Sequence, residues 1–243
     1  MAGRLAGRIA LVTGASRGIG RAVALRYAQE GATVVALART QGGLEELDDE
    51  IRKISGQNAV LVPIDLRDGD KIDQVGAALF ERFKRLDILA GIAGSLGMLA
   101  PVGHIGLKEW DEAIATNLTA NWRLIRAMDP LLRMSEAGRA LFVTSGVTQG
   151  VFPFFAAYGA SKAALEQMVR IYAEEMKGIT KVKANLVDPG VVRTRMRATA
   201  FPGEDPMRHP APEEITDVFV DLAEASCQRT GDLVRAGTGP SIY

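Results

Sequence analysis

The sequence predicts an α/β fold, a doubly wound parallel sheet of about seven strands with helices on both faces. Three observations predict it. Short β-branched runs alternate with longer segments of helical period along the whole chain. The strand-like runs are almost continuously apolar, as strands buried on both faces must be. No low-complexity linker or internal repeat divides the 243 residues, so one domain is expected.

The elements follow in order. Arg8–Thr13 reads as the first strand, and Gly18–Glu30 as a helix with Gly31 at its C-terminal end. Thr33–Ala38 reads as a strand, Leu44–Ile54 as a helix and Ala59–Ile64 as a strand. Asp70–Arg85 is helical in period, and Asp87–Ala90 is the fourth strand. Leu107–Met134 has helical character over most of its length. Ala140–Thr144 reads as a strand and Tyr158–Met176 as a long helix. Lys181–Val187, Pro212–Cys227 and Asp232–Ala236 complete the pattern as strand, helix and strand. The looser stretch Arg193–Pro212 holds Pro202, Pro206, Pro210 and Pro212 and reads as a long surface loop able to act as a lid.

Composition narrows the function. Hydrophobic residues make up 47% and charged residues 24%, which excludes a disordered chain. Lys plus Arg is 29 and Asp plus Glu is 29, so no basic excess points to nucleic acid or an anionic membrane. One cysteine, Cys227, excludes a disulfide framework, and with only His104 and His209 beside it no metal site is expected. The apolar run after the first arginines, Ile9–Val12, is too short for a signal core. Ile88–Leu107 carries no charge, but five glycines and Pro101 make it a strand and loop rather than a membrane helix. The expected setting is the reducing cytoplasm.

In open parallel sheets ligands bind beyond the carboxyl ends of the strands, so the informative loops follow the strands. The first is Thr13-Gly14-Ala15-Ser16-Arg17-Gly18-Ile19-Gly20, entering a helix. Its glycines permit a tight turn and close approach to a pyrophosphate, which the free N–H groups of the helix N-terminus can hold. The second strand ends Ala38-Arg39-Thr40, without the carboxylate that takes a ribose 2′-hydroxyl. Arg39, helped by Arg17, suits a 2′-phosphate instead, so NADP(H) is expected over NAD(H). Tyr158 and Lys162 stand four apart at the start of a helix and share a face. A nearby ammonium favours phenolate and should lower the phenol from its usual value of about 10. Such a Tyr gives a proton to a carbonyl oxygen or takes one from an alcohol. Ser145, at a strand end thirteen residues earlier, can hold the same oxygen.

The glycine loop, Asp65 after strand three, Asn117, Ser145, Tyr158, Lys162 and Pro189-Gly190, in that order, resemble the short-chain dehydrogenase/reductase family. The resemblance covers roughly residues 8 to 236. It implies one Rossmann-like domain carrying cofactor and substrate sites together. It implies Asn117, Ser145, Tyr158 and Lys162 as the catalytic group. Tyr158 would be the acid/base. Lys162 would lower its pKa and bind the nicotinamide ribose, and Asn117 would hold a backbone kink and a proton-relaying water. Asp65 and the Leu66 backbone would meet adenine, and Ala93 and Gly94 the adenosine ribose. Val192 and Thr194, after Pro189-Gly190, would meet the nicotinamide half. The helix pairs Leu107–Met134 and Tyr158–Met176 imply a homodimer or homotetramer.

Two departures stand out. The family's Asn-Asn-Ala-Gly after strand four is Gly91-Ile92-Ala93-Gly94 here, so the hydrogen bonds of both asparagines must be replaced or lost. The chain ends Thr238–Tyr243 without the family's Asp-Gly-Gly. Substrate identity is open. Phe152, Phe154 and Phe155 are equally pocket or packing, and Arg193, Arg195 and Arg197 open the expected lid. The expected reaction is carbonyl/alcohol interconversion on a small molecule, with 3-oxoacyl-thioester reduction as a subtype. The alternative is a catalytically weak NADP-binding regulatory protein on the same fold.

Overall fold

The computed structural model describes residues 3–236; the atypical ending Thr238–Tyr243 lies outside the described residues. Seven strands form one parallel sheet in the order β3-β2-β1-β4-β5-β6-β7. They are β1 (Ile9–Thr13), β2 (Thr33–Ala38), β3 (Val60–Pro63), β4 (Ile88–Gly91), β5 (Arg139–Val143), β6 (Lys183–Asp188) and β7 (Leu233–Arg235). The helices are α1 (Gly18–Gln29), α2 (Gln41–Ser55), α3 (Gly69–Phe83), α4 (Leu107–Ile114), α5 (Ala120–Arg133), α6 (Ala156–Met176), α7 (Arg195–Ala200) and α8 (Asp217–Ala223).

Side chains alternate across a strand, so each strand feeds two cores. Ala10, Val12, Val34 and Ala36 pack with Tyr27 of α1, Leu44 and Leu47 of α2 and Phe219 of α8. Ile9, Leu11, Val35 and Leu37 pack on the other side with Ile72 of α3, Leu124 of α5 and Leu165 of α6. Both faces are therefore covered, which explains the near-continuous apolar runs in the sequence.

Three elements differ from the sequence expectation. The segment Leu107–Met134 is interrupted at Ala115–Thr119 by a π turn, where the helix takes in one extra residue. Part of Arg193–Pro212 is the helix α7, which Thr194 caps by accepting from the Arg197 N–H at 3.3 Å. Pro212–Cys227 is a short turn, Pro212–Ile215, followed by α8, because the Glu224 backbone leaves helical geometry. Among the described residues, no helix is long and apolar enough to cross a membrane.

The strand order places the topological switch between β1 and β4. The chain runs from β1 out to β3 on one side and returns to β4 on the other. The loops after these strands part there and leave a crevice.

Candidate active site

A cleft of about 560 Å³ opens at that switch. The glycine loop forms its floor, since Gly14, Ser16, Arg17, Gly18, Ile19 and Gly20 all line it. Gly14 has φ +68°, and a Cβ on Gly20 would sit 2.4 Å from the Gly14 carbonyl oxygen. Only glycine lets α1 start this close to β1. Arg17, at the cap position of α1, makes no side-chain cap, so the first N–H groups of the helix face the cleft uncapped by a side chain. A pyrophosphate fits this cradle by geometry and by the helix dipole.

Every residue named from sequence for the cofactor lines the cleft, as does Ser145. Arg39, Asp65 and Leu66 lie at the ends of β2 and β3. Ala93 and Gly94 follow β4, and Pro189, Gly190, Val192 and Thr194 follow β6. Asn117 does not line it: its side chain is fully buried behind the wall. There its amide donates to the Ser95 carbonyl at 2.8 Å and to the Ser161 hydroxyl at 2.9 Å, and its oxygen accepts from the Ser95 N–H at 2.8 Å. Ser161 in turn donates to the Tyr158 carbonyl at 2.7 Å. Asn117 thus ties the π turn to the loop after β4 and to the first turns of α6.

The catalytic candidates meet at the end of β5. Lys162 donates from Nζ to the Val143 carbonyl at 2.8 Å, and the same Nζ lies 5.9 Å from the centre of the Tyr158 ring. Burial pushes the Lys162 ammonium down to about 8. The sequence expectation for Tyr158 is corrected here. Burial pushes the phenol up from its ordinary value, and the bond from Ser145, rather than the lysine charge, opposes the rise. Removal from water disfavours the charged form of each group, so the phenol rises while the ammonium falls. Ser145 also accepts from the Val147 N–H at 3.4 Å, capping the turn Gly146–Gln149.

Sequence reasoning missed Arg67. Its Nη2 lies 2.6 Å from Asp65 Oδ2, and Arg39 Nη1 approaches the same oxygen at 3.9 Å. The Arg67 hydrogen bond holds the Asp65 carboxyl below the usual carboxylate range, although partial burial opposes it. The signal was the spacing of two residues from Asp65, but surface arginines are too common for that to count. Phe201 was also missed. Its ring stacks on Phe155 with centroids 6.1 Å apart, and the Arg197 guanidinium lies 3.7 Å above it. Phe155 and Phe201 both line the cleft, whereas Phe152 and Phe154 do not. Arg197, one of the three arginines at the start of 193–212, is bound to Glu204 at 2.5 and 2.8 Å.

The missing asparagines are replaced in part by other groups. Thr13 Oγ1 accepts from the N–H groups of Ile92 at 2.9 Å and Ala93 at 3.0 Å, fixing the end of β4. A Cβ on Gly91 would meet the Phe142 ring at 2.5 Å and Asn121 Oδ1 at 2.7 Å. Those two side chains fill the space the family's first asparagine would need. Gly91→Asn should therefore destabilise the fold by about 1–3 kcal/mol through overpacking. A denaturant melt checks this, and unchanged stability would show that the space can be yielded freely.

The family model for short chain dehydrogenases matches residues 8–205, and the chain belongs to that family. It is similar to the oxidoreductase YciK of Escherichia coli (strain K12), 35% identical over 227 residues, 92% of this chain and 89% of that one. The 3-oxoacyl-(acyl-carrier-protein) reductase FabG of Thermotoga maritima is 31% identical over 242 residues, 95% and 96% of the two chains. A short chain dehydrogenase from Escherichia coli CFT073, complexed with NADPH, superposes with a TM-score of 0.92 at 34% identity. That match covers 97% of this chain and 98% of the other. The chain is an NAD(P)-dependent oxidoreductase of this family.

Proposed function

We propose that the protein interconverts a carbonyl and an alcohol on a small molecule, using NADP(H), with Tyr158 as acid/base. The observation that carries the reading is the convergence of Ser145, Tyr158 and Lys162 on the cleft that the glycine loop floors. A bound nicotinamide supplies or accepts the hydride. Tyr158 Oη gives its proton to the substrate oxygen, or takes it back in oxidation. The Ser145 hydroxyl donates to the same oxygen and stabilises its developing charge. Lys162, held at Val143, would bind the ribose hydroxyls of the cofactor beside the phenol. Asn117 keeps the π turn shaped behind them. NADPH consumption in the presence of ketones and aldehydes tests the reading.

One domain carries both sites in this account, and 193–212 is the substrate lid. The stack of Phe201 on Phe155 supports an apolar wall at its inner side. NADP(H) preference rests on Arg39 and Arg17, with Arg67 neutralising Asp65 beside them. Arg39→Asp should weaken NADPH binding at least tenfold, on the order expected for losing a charge-assisted pair, and spare NADH. Fluorescence titration with both cofactors checks it; wild type binding NADH more tightly than NADPH contradicts it.

The chain assembles as a homotetramer in this reading, through α5 and α6. A groove between them is lined by Trp122, Ile125, Met168 and Ile171, with Trp122 46% and Ile171 49% exposed. Such apolar surface favours a self-complementary contact. Sedimentation equilibrium at micromolar concentration should give a tetramer, and a monomer alone refutes the contact. The lone Cys227 accords with a reducing cytoplasm.

A further inference from the structure

Helix α6 grips the end of β5 at successive turns. Lys162 holds the Val143 carbonyl, and the Ser145 hydroxyl, beside the Tyr158 phenol, opposes the rise that burial gives it. Between these two strand residues lies Thr144, and it too is held by α6. Its hydroxyl donates to Glu166 Oε1 at 2.6 Å. The Thr148 hydroxyl reaches the same oxygen at 2.6 Å. Glu166 is only 5% exposed and Thr144 only 1%, so this is a buried carboxylate one helical turn beyond Lys162. Nothing in the proposed proton transfer uses it.

A buried carboxylate is costly unless its lone pairs are filled. Here two hydroxyls fill Oε1, and Arg170 Nη2 stands 3.5 Å from Oε2. The Thr148 hydroxyl also lies 2.9 Å from the Ser145 carbonyl, but it has one proton. The shorter bond to a charged acceptor takes that proton. The Ser145 carbonyl is still satisfied by the Thr148 N–H at 3.1 Å. The turn Gly146–Gln149 is thereby closed on itself and pinned to α6 through Glu166.

We propose that Glu166 is the positioning residue for Ser145: its carboxylate clamps Thr144 and Thr148, on either side of Ser145, to the helix that carries Tyr158. The inference rests on the proposed pairing of Ser145 with Tyr158 at the substrate oxygen. Without the clamp, the side-chain hydrogen bond from α6 to the end of β5 beside the turn is that of Lys162 to the Val143 carbonyl. Glu166 also places a negative charge near the buried Lys162 ammonium, which favours its charged form.

Hydrogen exchange read by mass spectrometry on peptides covering 144–149 tests the clamp without requiring turnover. It compares wild type with Glu166→Ala, Glu166→Gln and Thr148→Val. Glu166→Ala should speed exchange there about tenfold, the scale of losing hydrogen bonds to a charged acceptor, and leave β1 and β2 unchanged. Glu166→Gln keeps an oxygen for both hydroxyls and should stay within about threefold of wild type. Thr148→Val loses one donor, folds with its shape conserved, and should fall between them. With phenanthrenequinone as a carbonyl probe, kcat should fall in the same order while the KM for NADPH holds. Wild-type exchange in Glu166→Ala overturns the proposal. So does a uniform increase across β5, β6 and α6, or a Gln variant as impaired as Ala. Because exchange needs no substrate, such a failure is separable from a failure of the carbonyl reading, which only turnover measures.

Discussion

Tyr158→Phe should lower turnover by about 10²–10⁴-fold or more while changing NADPH affinity only a few-fold. The substitution keeps a ring that is 9% exposed and packed at the start of α6, so the fold should hold. It removes the one hydroxyl proposed to move a proton at the substrate oxygen. In the proposed reading cofactor binding rests on the glycine loop, Arg39 and Lys162, which line the cleft and do not depend on the phenol. Steady-state turnover on a confirmed carbonyl substrate, set beside a fluorescence titration with NADPH, checks both halves. Near wild-type turnover would make the tyrosine a packing residue.

Lys162→Ala should cost turnover by at least about 10²-fold and weaken NADPH as well, a double loss that separates it from Tyr158→Phe. In the proposed reading the buried ammonium serves the cofactor ribose and stands beside the phenol, and it spends one hydrogen bond on the Val143 carbonyl. Its removal leaves that carbonyl unpaired at the head of the Ser145 turn. The variant also carries a pH signature. Lys162 is pushed from 10.5 down to about 8 in the folded protein, so between these values the unfolded chain binds more protons at this site. Stability should therefore rise with pH from about 8 toward 10.5 through this group. That rise should be missing from Lys162→Ala in denaturant melts run across the same range. An identical pH dependence in both proteins would show that the lysine is not depressed by burial.

Much of this was legible in the chain because local chemistry dictated it. The glycine loop had to be glycine, since Gly20 approaches the Gly14 carbonyl too closely for a Cβ. Continuous apolar strands announced a sheet covered on both faces. Tyr158 and Lys162 share a helix face by spacing alone. What escaped depends on contacts between distant segments. The π turn is set by Asn117 reaching Ser95 and Ser161, which nothing near it in sequence reveals. Asn121 and Phe142 stand where a side chain at Gly91 would go, an exchange visible only once β4, β5 and α5 are packed. Segment 193–212 holds a helix despite its four prolines because α7 fits between Thr194 and Phe201, before the first of them. The direction of the Tyr158 shift also escaped. Spacing shows a charged neighbour but not how deeply both groups are buried.

The central claim is that this cleft brings a nicotinamide and a carbonyl to one tyrosine. The most direct test is NADPH oxidation against a panel of ketones and aldehydes, with wild type and Tyr158→Phe side by side. The account predicts carbonyl-dependent oxidation by wild type that the variant loses while it still binds NADPH. Tight NADPH binding by both proteins, with no carbonyl able to drive oxidation in either, would contradict it and leave a cofactor-binding protein without reductase chemistry.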